Sequence, residues 1–149
     1  MVTIGDMVRS QKSLIDALGI KRLLAVVGGS VGGMQVLEWL IRHPDRVTTG
    51  VPIGVGASQS AWAVASSHAQ RQAITSDPKY RNGDYLPQRP PADGLATARM
   101  MAMVSYRSPS SFDARFDRTR DANGFAVQTW LDHHGEALVR RFDANSYLR

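Results

Sequence analysis

The sequence predicts an α/β fold with a parallel sheet near its start, giving way to a helical second part. Three observations carry that expectation. The apolar runs at residues 23–27 and 47–55 are short and rich in β-branched side chains, as strands buried on both faces are. A stretch with helical apolar spacing precedes each run, and helix, strand, helix, strand is the alternation of a parallel sheet. From Ser58 the alternation stops and the remaining segments read as helices. Residues 1–57 are therefore expected to be an incomplete α/β core, since two strands alone make no stable sheet, and 58–149 a helical segment.

Taken in order, Thr3 to Asp6 reads as a capping box opening a helix with Met7, Val8, Gln11, Leu14, Ile15 and Leu18 on one side. Gly19 is placed to end it. The run from Leu23 then leads into Gly28-Gly29-Ser30-Val31-Gly32-Gly33, after which the period becomes helical. Met34, Leu37, Leu40 and Ile41 are expected on the buried side of that helix, with Gln35, Glu38 and Arg42 opposite. A serine at a sharp strand-to-helix turn, with Gly28 and Gly32 in the spacing G-x-S-x-G, is a nucleophile elbow. The glycines answer a steric need, because neighbouring Cβ atoms would collide with the adjoining strand and helix. Ser30 is the candidate nucleophile, its hydroxyl held at a helix N-terminus where amides favour developing negative charge. The alternative is a glycine-rich turn that binds phosphate or merely turns. A dinucleotide fingerprint would need glycine where Ser30 stands, and a phosphate loop would need a lysine that is absent.

His43 to Arg46 makes a turn, with His43 expected to be solvated. Pro52 interrupts the second strand and argues for an edge. Residues 60–74 suit a helix burying Trp62, Ala65 and Ala69, with His68 structural or solvated. A loop rich in proline and glycine follows. Residues 92–106 form a helix apolar nearly all round, hence buried, with one charge inside it, Arg99. A buried arginine needs an anionic partner, either an internal carboxylate or a carboxylate-bearing substrate. Residues 112–124, alternating Asp and Arg, read as an exposed connector. The last helix, 125–142, places Val127, Trp130, Leu131, His134, Leu138 and Phe142 together. His133 and His134 are neighbours and point about 100° apart, so they do not readily share a metal.

With 43% hydrophobic and 21% charged residues the composition is that of a globular protein with room for one domain. The chain has no cysteine, which excludes disulfides and thiolate metal sites and suits a cytoplasmic location. The first residues, Met1 to Asp6, lack the basic region and apolar core of a signal peptide, and no apolar run reaches the ~20 residues of a membrane span. The net charge of +5 is spread over scattered arginines without interleaved aromatics, which argues against nucleic acid.

The run VTIGDMVRSQKSLIDALGIKRLLAVVGGSVGGMQVLEW, followed by HPDRV, AQRQAI, the NGDY loop, GLATARMMAMVSYRS and RFDANSYL, resembles the homoserine O-acetyltransferase family. The likeness covers nearly the whole chain. It implies a partial α/β-hydrolase fold, two core strands with the elbow, followed by part of the family's helical lid, so that 58–149 is incomplete too. It also implies transfer of acetyl from acetyl-CoA to the hydroxyl of L-homoserine through a serine acyl-enzyme, in methionine biosynthesis. No bound cofactor is expected; acetyl-CoA is a co-substrate. By matching position Ser30 is the implied nucleophile and the Val31 N–H an oxyanion donor, although Val31 stands where methionine is common. Arg99 and Tyr106 match positions lining the homoserine tunnel. The family's lid implies a homodimer for the intact enzyme, with small molecules rather than nucleic acid or membrane as its other partners. The family's acid and histidine lie on later strands, so they are expected beyond Arg149, and His43, His68, His133 and His134 fall outside the matching positions. The chain alone is accordingly expected to be inactive. The alternatives are a related serine or homoserine O-succinyltransferase, a hydrolase of esterase type, and a non-catalytic interaction or dimerisation module.

Overall fold

The computed structural model describes residues 2–149, and the chain divides into two compact units, the first ending at Ser58 and the second running Gln59–Arg149. In the first, Thr3 caps α1 (Ile4–Ala17): its Oγ1 accepts the Asp6 N–H at 3.1 Å, while Asp6 Oδ2 accepts the Thr3 N–H at 2.7 Å. Two donors with no helical partner are thereby satisfied. Gly19 follows at φ +72°, the left-handed conformation that stops a helix cheaply only for glycine. β1 (Leu23–Gly29) and β2 (Val47–Ile53) pair in parallel, Leu23 opposite Val47 and Gly29 opposite Ile53. The crossover between them is α2 (Val31–Arg42), which packs on both strands and against α1. Val8, Trp39 and Val47 form the core of this unit, with Ile15, Leu23, Val26 and Leu40 packed around them. The Trp39 indole N–H donates to Gln11 Oε1 at 2.8 Å, so the largest core side chain buries no unpaired donor.

Four expectations for this unit are corrected. α2 buries Gly33, Val36 and Trp39, while Met34 and Ile41 are exposed. The tryptophan offers the most apolar area on the helix and sets its rotation. β1 is covered on one face rather than two: Val26 packs in the core, while Val27, on the other face, is 63% exposed. The helices lie on one side and β2 is its single neighbour among the described residues. Pro52 sits within β2, opposite Gly28, and the strand ends at Ile53 rather than Val55. A proline is tolerated where a strand pairs along one edge. His43 is not solvated: its ring packs edge-on against Trp39, centres 5.3 Å apart, with Nε2 enclosed and unpartnered.

The second unit begins with α3 (Ala61–Thr75) and α4 (Ala92–Ser105). After α5 (Pro109–Phe116), a short antiparallel hairpin of β3 (Arg120–Asp121) and β4 (Gly124–Phe125) leads to α6 (Ala126–Val139) and α7 (Ala144–Tyr147). α4 packs against both α3 and α6, and glycines permit the approach. A Cβ on Gly94 would lie 2.6 Å from the Ala73 carbonyl, and one on Gly135 would lie 3.0 Å from Met100 Cε. Ile74, Leu95, Ala98, Leu138 and Ala144 form the core. Asp77, buried, accepts the Lys79 and Gly94 N–H groups at 2.9 Å each, supplying the acceptor that Pro91, at the N-cap of α4, lacks. Trp62, expected inside, is 76% exposed: it stands in the first turn of α3, whereas α4 approaches α3 three turns further on, at Ala73 and Ile74. α4 is not buried all round: Met101 and Val104 are exposed. Residues 112–124 are no plain connector either. Ser108 caps α5 by accepting the Ser111 N–H at 3.2 Å, and Phe112, Phe116 and Trp130 pack with ring centres 5.4–5.9 Å apart. The loop before α4 is fastened to α7, with Asn145 Nδ2 donating to the Gly83 carbonyl at 2.9 Å. The Tyr85 hydroxyl accepts the Asn145 N–H at 3.1 Å and donates to Asp143. Among the described residues no helix is long and apolar enough to cross a membrane.

Candidate active site

β1 runs into α2 through one residue, Ser30, at φ +54° and ψ −119°. A side chain rarely occupies that conformation, and here the surroundings enforce it. The Ser30 N–H donates to the Ile53 carbonyl at 2.9 Å, and its own carbonyl accepts the Met34 N–H at 3.1 Å. The turn is thus clamped to β2 on one side and to the first turn of α2 on the other. A Cβ on Gly28 would sit 2.4 Å from the carbonyl carbon and oxygen of Gly32, and one on Gly33 would sit 2.7 Å from Val55 Cγ1. Gly32 differs from expectation, since a Cβ there meets nothing within 4 Å. Gly28 and Gly33 carry the steric requirement, and the second glycine of the G-x-S-x-G pattern does not.

Ser30 and Val31 are both exposed. No hydrogen bond engages the Ser30 hydroxyl among the described residues. Val31 opens α2, so its N–H is one of the four donors a helix leaves without an internal partner. An exposed hydroxyl beside free amides at the positive end of a helix dipole can attack a carbonyl and stabilise the oxyanion that results. His43 cannot serve Ser30 as a base. It ends α2, twelve residues long, and a rise of about 1.5 Å per residue separates the two by roughly 18 Å.

In the second unit Arg99 and Tyr106 form a pair: the guanidinium carbon lies 5.7 Å from the centre of the Tyr106 ring. Arg99 is half-buried and takes part in none of the ion pairs among the described residues, so the internal salt bridge is not realised. Two residues join them that sequence reasoning missed. The Tyr147 hydroxyl donates to Gln70 Oε1 at 2.8 Å and approaches the Ala98 carbonyl at 3.4 Å. Burial pushes that phenol up, with Tyr106 adding to the rise and Arg99 opposing it. Gln70 and Tyr147 lie in AQRQAI and RFDANSYL, segments that periodicity marked as helix and tail with no hint that they meet. His134, on α6, is held below the ordinary histidine range by burial first, then by the charges of His133, Arg99, Arg115 and Arg107. Among the described residues no three His, Asp or Glu side chains gather as a metal site.

A parallel βαβ unit with a strained serine at its turn is the nucleophile-bearing part of a hydrolase-type fold, and residues 2–146 match the family model for the alpha/beta hydrolase fold; the chain belongs to that family. Within it the chain is similar to the homoserine O-acetyltransferase of Trichormus variabilis, 54% identical over 149 residues, covering 99% of this chain and 42% of the relative. A crystal structure of homoserine O-acetyltransferase from Bacillus anthracis superposes with a TM-score of 0.84 at 26% identity, covering 98% of this chain and 41% of that one. The acetyl esterase MekB superposes with a TM-score of 0.82 at 30% identity, over 99% of this chain and 42% of its own. The chain therefore spans about 42% of the length of the curated relative it matches.

Proposed function

We propose that this chain is the nucleophile-bearing portion of an acyltransferase that moves an acetyl group from acetyl-CoA to the hydroxyl of L-homoserine. The observation that carries the reading is Ser30 in its left-handed turn at the head of α2. The 54% identity to a homoserine O-acetyltransferase supports the choice of reaction within the fold family. In the first half-reaction the Ser30 Oγ attacks the thioester carbonyl, its proton passing to a base, and the Val31 N–H donates to the oxyanion. One such donor supplies about 2.7–4 kcal/mol of transition-state stabilisation. The thiolate of CoA leaves with a proton, and the acetyl group rests on Ser30. In the second half-reaction the homoserine hydroxyl attacks that ester, Ser30 regains its proton, and O-acetylhomoserine departs. Arg99 has no carboxylate partner of its own and suits the carboxylate of the amino-acid acceptor, with Tyr106 flanking it.

Two active residues of this reading, the acid and histidine that activate the serine, belong to the remainder of the family pattern, and the lid of that pattern suits a homodimer. A chain without cysteine suits the cytoplasm. Hydrolysis is the second reading, favoured by the acetyl esterase, whose identity to this chain, 30%, exceeds the 26% of the Bacillus anthracis acyltransferase structure. Incubating the intact protein with acetyl-CoA and mapping adducts by mass spectrometry tests the first half-reaction. Acetylation of Ser30, abolished in Ser30→Ala with an unchanged melting temperature, is expected. An adduct on another side chain with Ser30 unmodified overturns it. Adding homoserine separates the readings, since an esterase releases acetate at the same rate with or without it.

A further inference from the structure

The cations of the second unit are not evenly placed. Arg107, two residues past α4, holds its guanidinium carbon 5.6 Å from the centre of the Trp130 ring, and Arg115 on α5 holds its own 5.5 Å from the same ring. His134, four residues along α6, packs edge-on against that indole with ring centres 4.5 Å apart. Phe112 and Phe116 back the indole, so the group stands on a packed platform. Both arginines are exposed, and neither enters an ion pair among the described residues. Attraction to the ring steadies a guanidinium yet satisfies none of its five donors. His134 is held below the ordinary histidine range by burial first, and then by neighbouring charges that include both arginines.

We infer that Arg107, Arg115 and His134 around Trp130 form a phosphate-binding subsite that takes the nucleotide end of the acyl-CoA donor. This rests on the acyl-CoA reading above. The acceptor does not account for the cluster, because homoserine brings a single carboxylate and Arg99 is free to take it. CoA brings a diphosphate and a 3′-phosphate, and planar guanidinia with parallel N–H donors match phosphate oxygens in a fork. His134 can add a donor from a ring N–H.

The test uses the intact protein and two acetyl donors, acetyl-CoA and S-acetyl-N-acetylcysteamine, which keeps the thioester and has no phosphate. The readout is the ratio of kcat/KM for acetyl-CoA to that for the short donor. Arg107→Gln with Arg115→Gln should lower that ratio at least tenfold. The direct Kd for CoA should weaken in parallel. Substituting 3′-dephospho-CoA then identifies the phosphate: a loss confined to CoA assigns the 3′-phosphate, and an equal loss for both assigns the diphosphate. An unchanged ratio, or equal loss with both donors, shows that the arginines only cover Trp130 and overturns the proposal. Should the double variant not fold, Arg115→Gln alone carries the same measurement. Failure of the intact protein to acetylate Ser30 from either donor sinks the acyltransferase reading instead, and the two failures are thereby distinct.

Discussion

At the scale of single residues, the two glycines flanking Ser30 in the pattern do different things. Gly28→Ala drives a methyl into the Gly32 backbone, which no rotamer relieves. On the order of 3 kcal/mol of stability should be lost, and the turn should no longer present Ser30. Gly32→Ala meets open space inside a helix, where alanine is preferred by about 1 kcal/mol. Thermal melts of the two variants of the intact protein should differ by roughly 5 °C, and similar melts would disprove the assignment. Arg99→Lys is the complementary test of the acceptor site. It keeps the charge and loses the fork, so homoserine-dependent turnover should fall at least tenfold while acetylation of Ser30 proceeds nearly unchanged. Equal loss in both half-reactions would make Arg99 structural. The serine was legible in the sequence because its chemistry is announced by its neighbours in the chain. Gln70, Tyr147 and His134 were not, since their relation to Arg99 exists only after α3, α4, α6 and α7 have packed.

At the scale of elements, helices with local signals read well. Thr3 and Asp6 cap α1 as a reciprocal pair, and Thr3→Ala should cost about 1 kcal/mol, read as a lower denaturant midpoint. Which residues of a helix are buried read poorly: Trp39 decides the rotation of α2, and Trp62 stands at the end of α3 remote from the Gly94 approach. α5 was missed for the opposite reason, its helix being too short and charged for periodicity to show. The clasp between Tyr85 and Asp143 was equally invisible, since 58 residues separate its partners. The Tyr85 hydroxyl, and then the N–H groups of Ser146 and Asn145, hold the Asp143 carboxyl below the usual range against the opposing pull of burial. Its folded affinity for a proton is lower than its unfolded one, so its contribution is full above about pH 4 and is lost as pH falls through the folded value. Tyr85→Phe should cost about 1 kcal/mol at pH 7, discounted for exposure, and should lose less further stability than the parent between pH 4 and pH 2. Parallel acid-unfolding curves for the two proteins would show the clasp contributes nothing.

At the scale of the whole molecule, the first unit carries a sheet of two strands with one face open. Val27, Val51 and Ile53 are exposed on that face, with Val27 and Val51 directly paired on adjacent strands. Such a surface with unpaired edges is a template for association. Residues 1–149 expressed by themselves should therefore self-associate, and light scattering should show species heavier than the 16.3 kDa chain at micromolar concentration. Val27→Lys should reduce that tendency. A monodisperse monomer with no response to Val27→Lys would show that the open face is harmless. The parallel order and the elbow could be foreseen from strand and helix periods alone. The exposure of β1 could not, because an apolar run states what a strand prefers to touch and not what it does touch.

The bond from the Ser30 N–H to the Ile53 carbonyl has a genetic consequence. The position of the serine is inherited through main chain, and main chain is blind to codons. Residue 53 can drift among isoleucine, valine, leucine and threonine with the hydroxyl unmoved, whereas deletion of one residue anywhere in β2 displaces the carbonyl and the nucleophile with it. Tolerance of substitution beside intolerance of length change is the signature this turn should leave in a deep mutational scan.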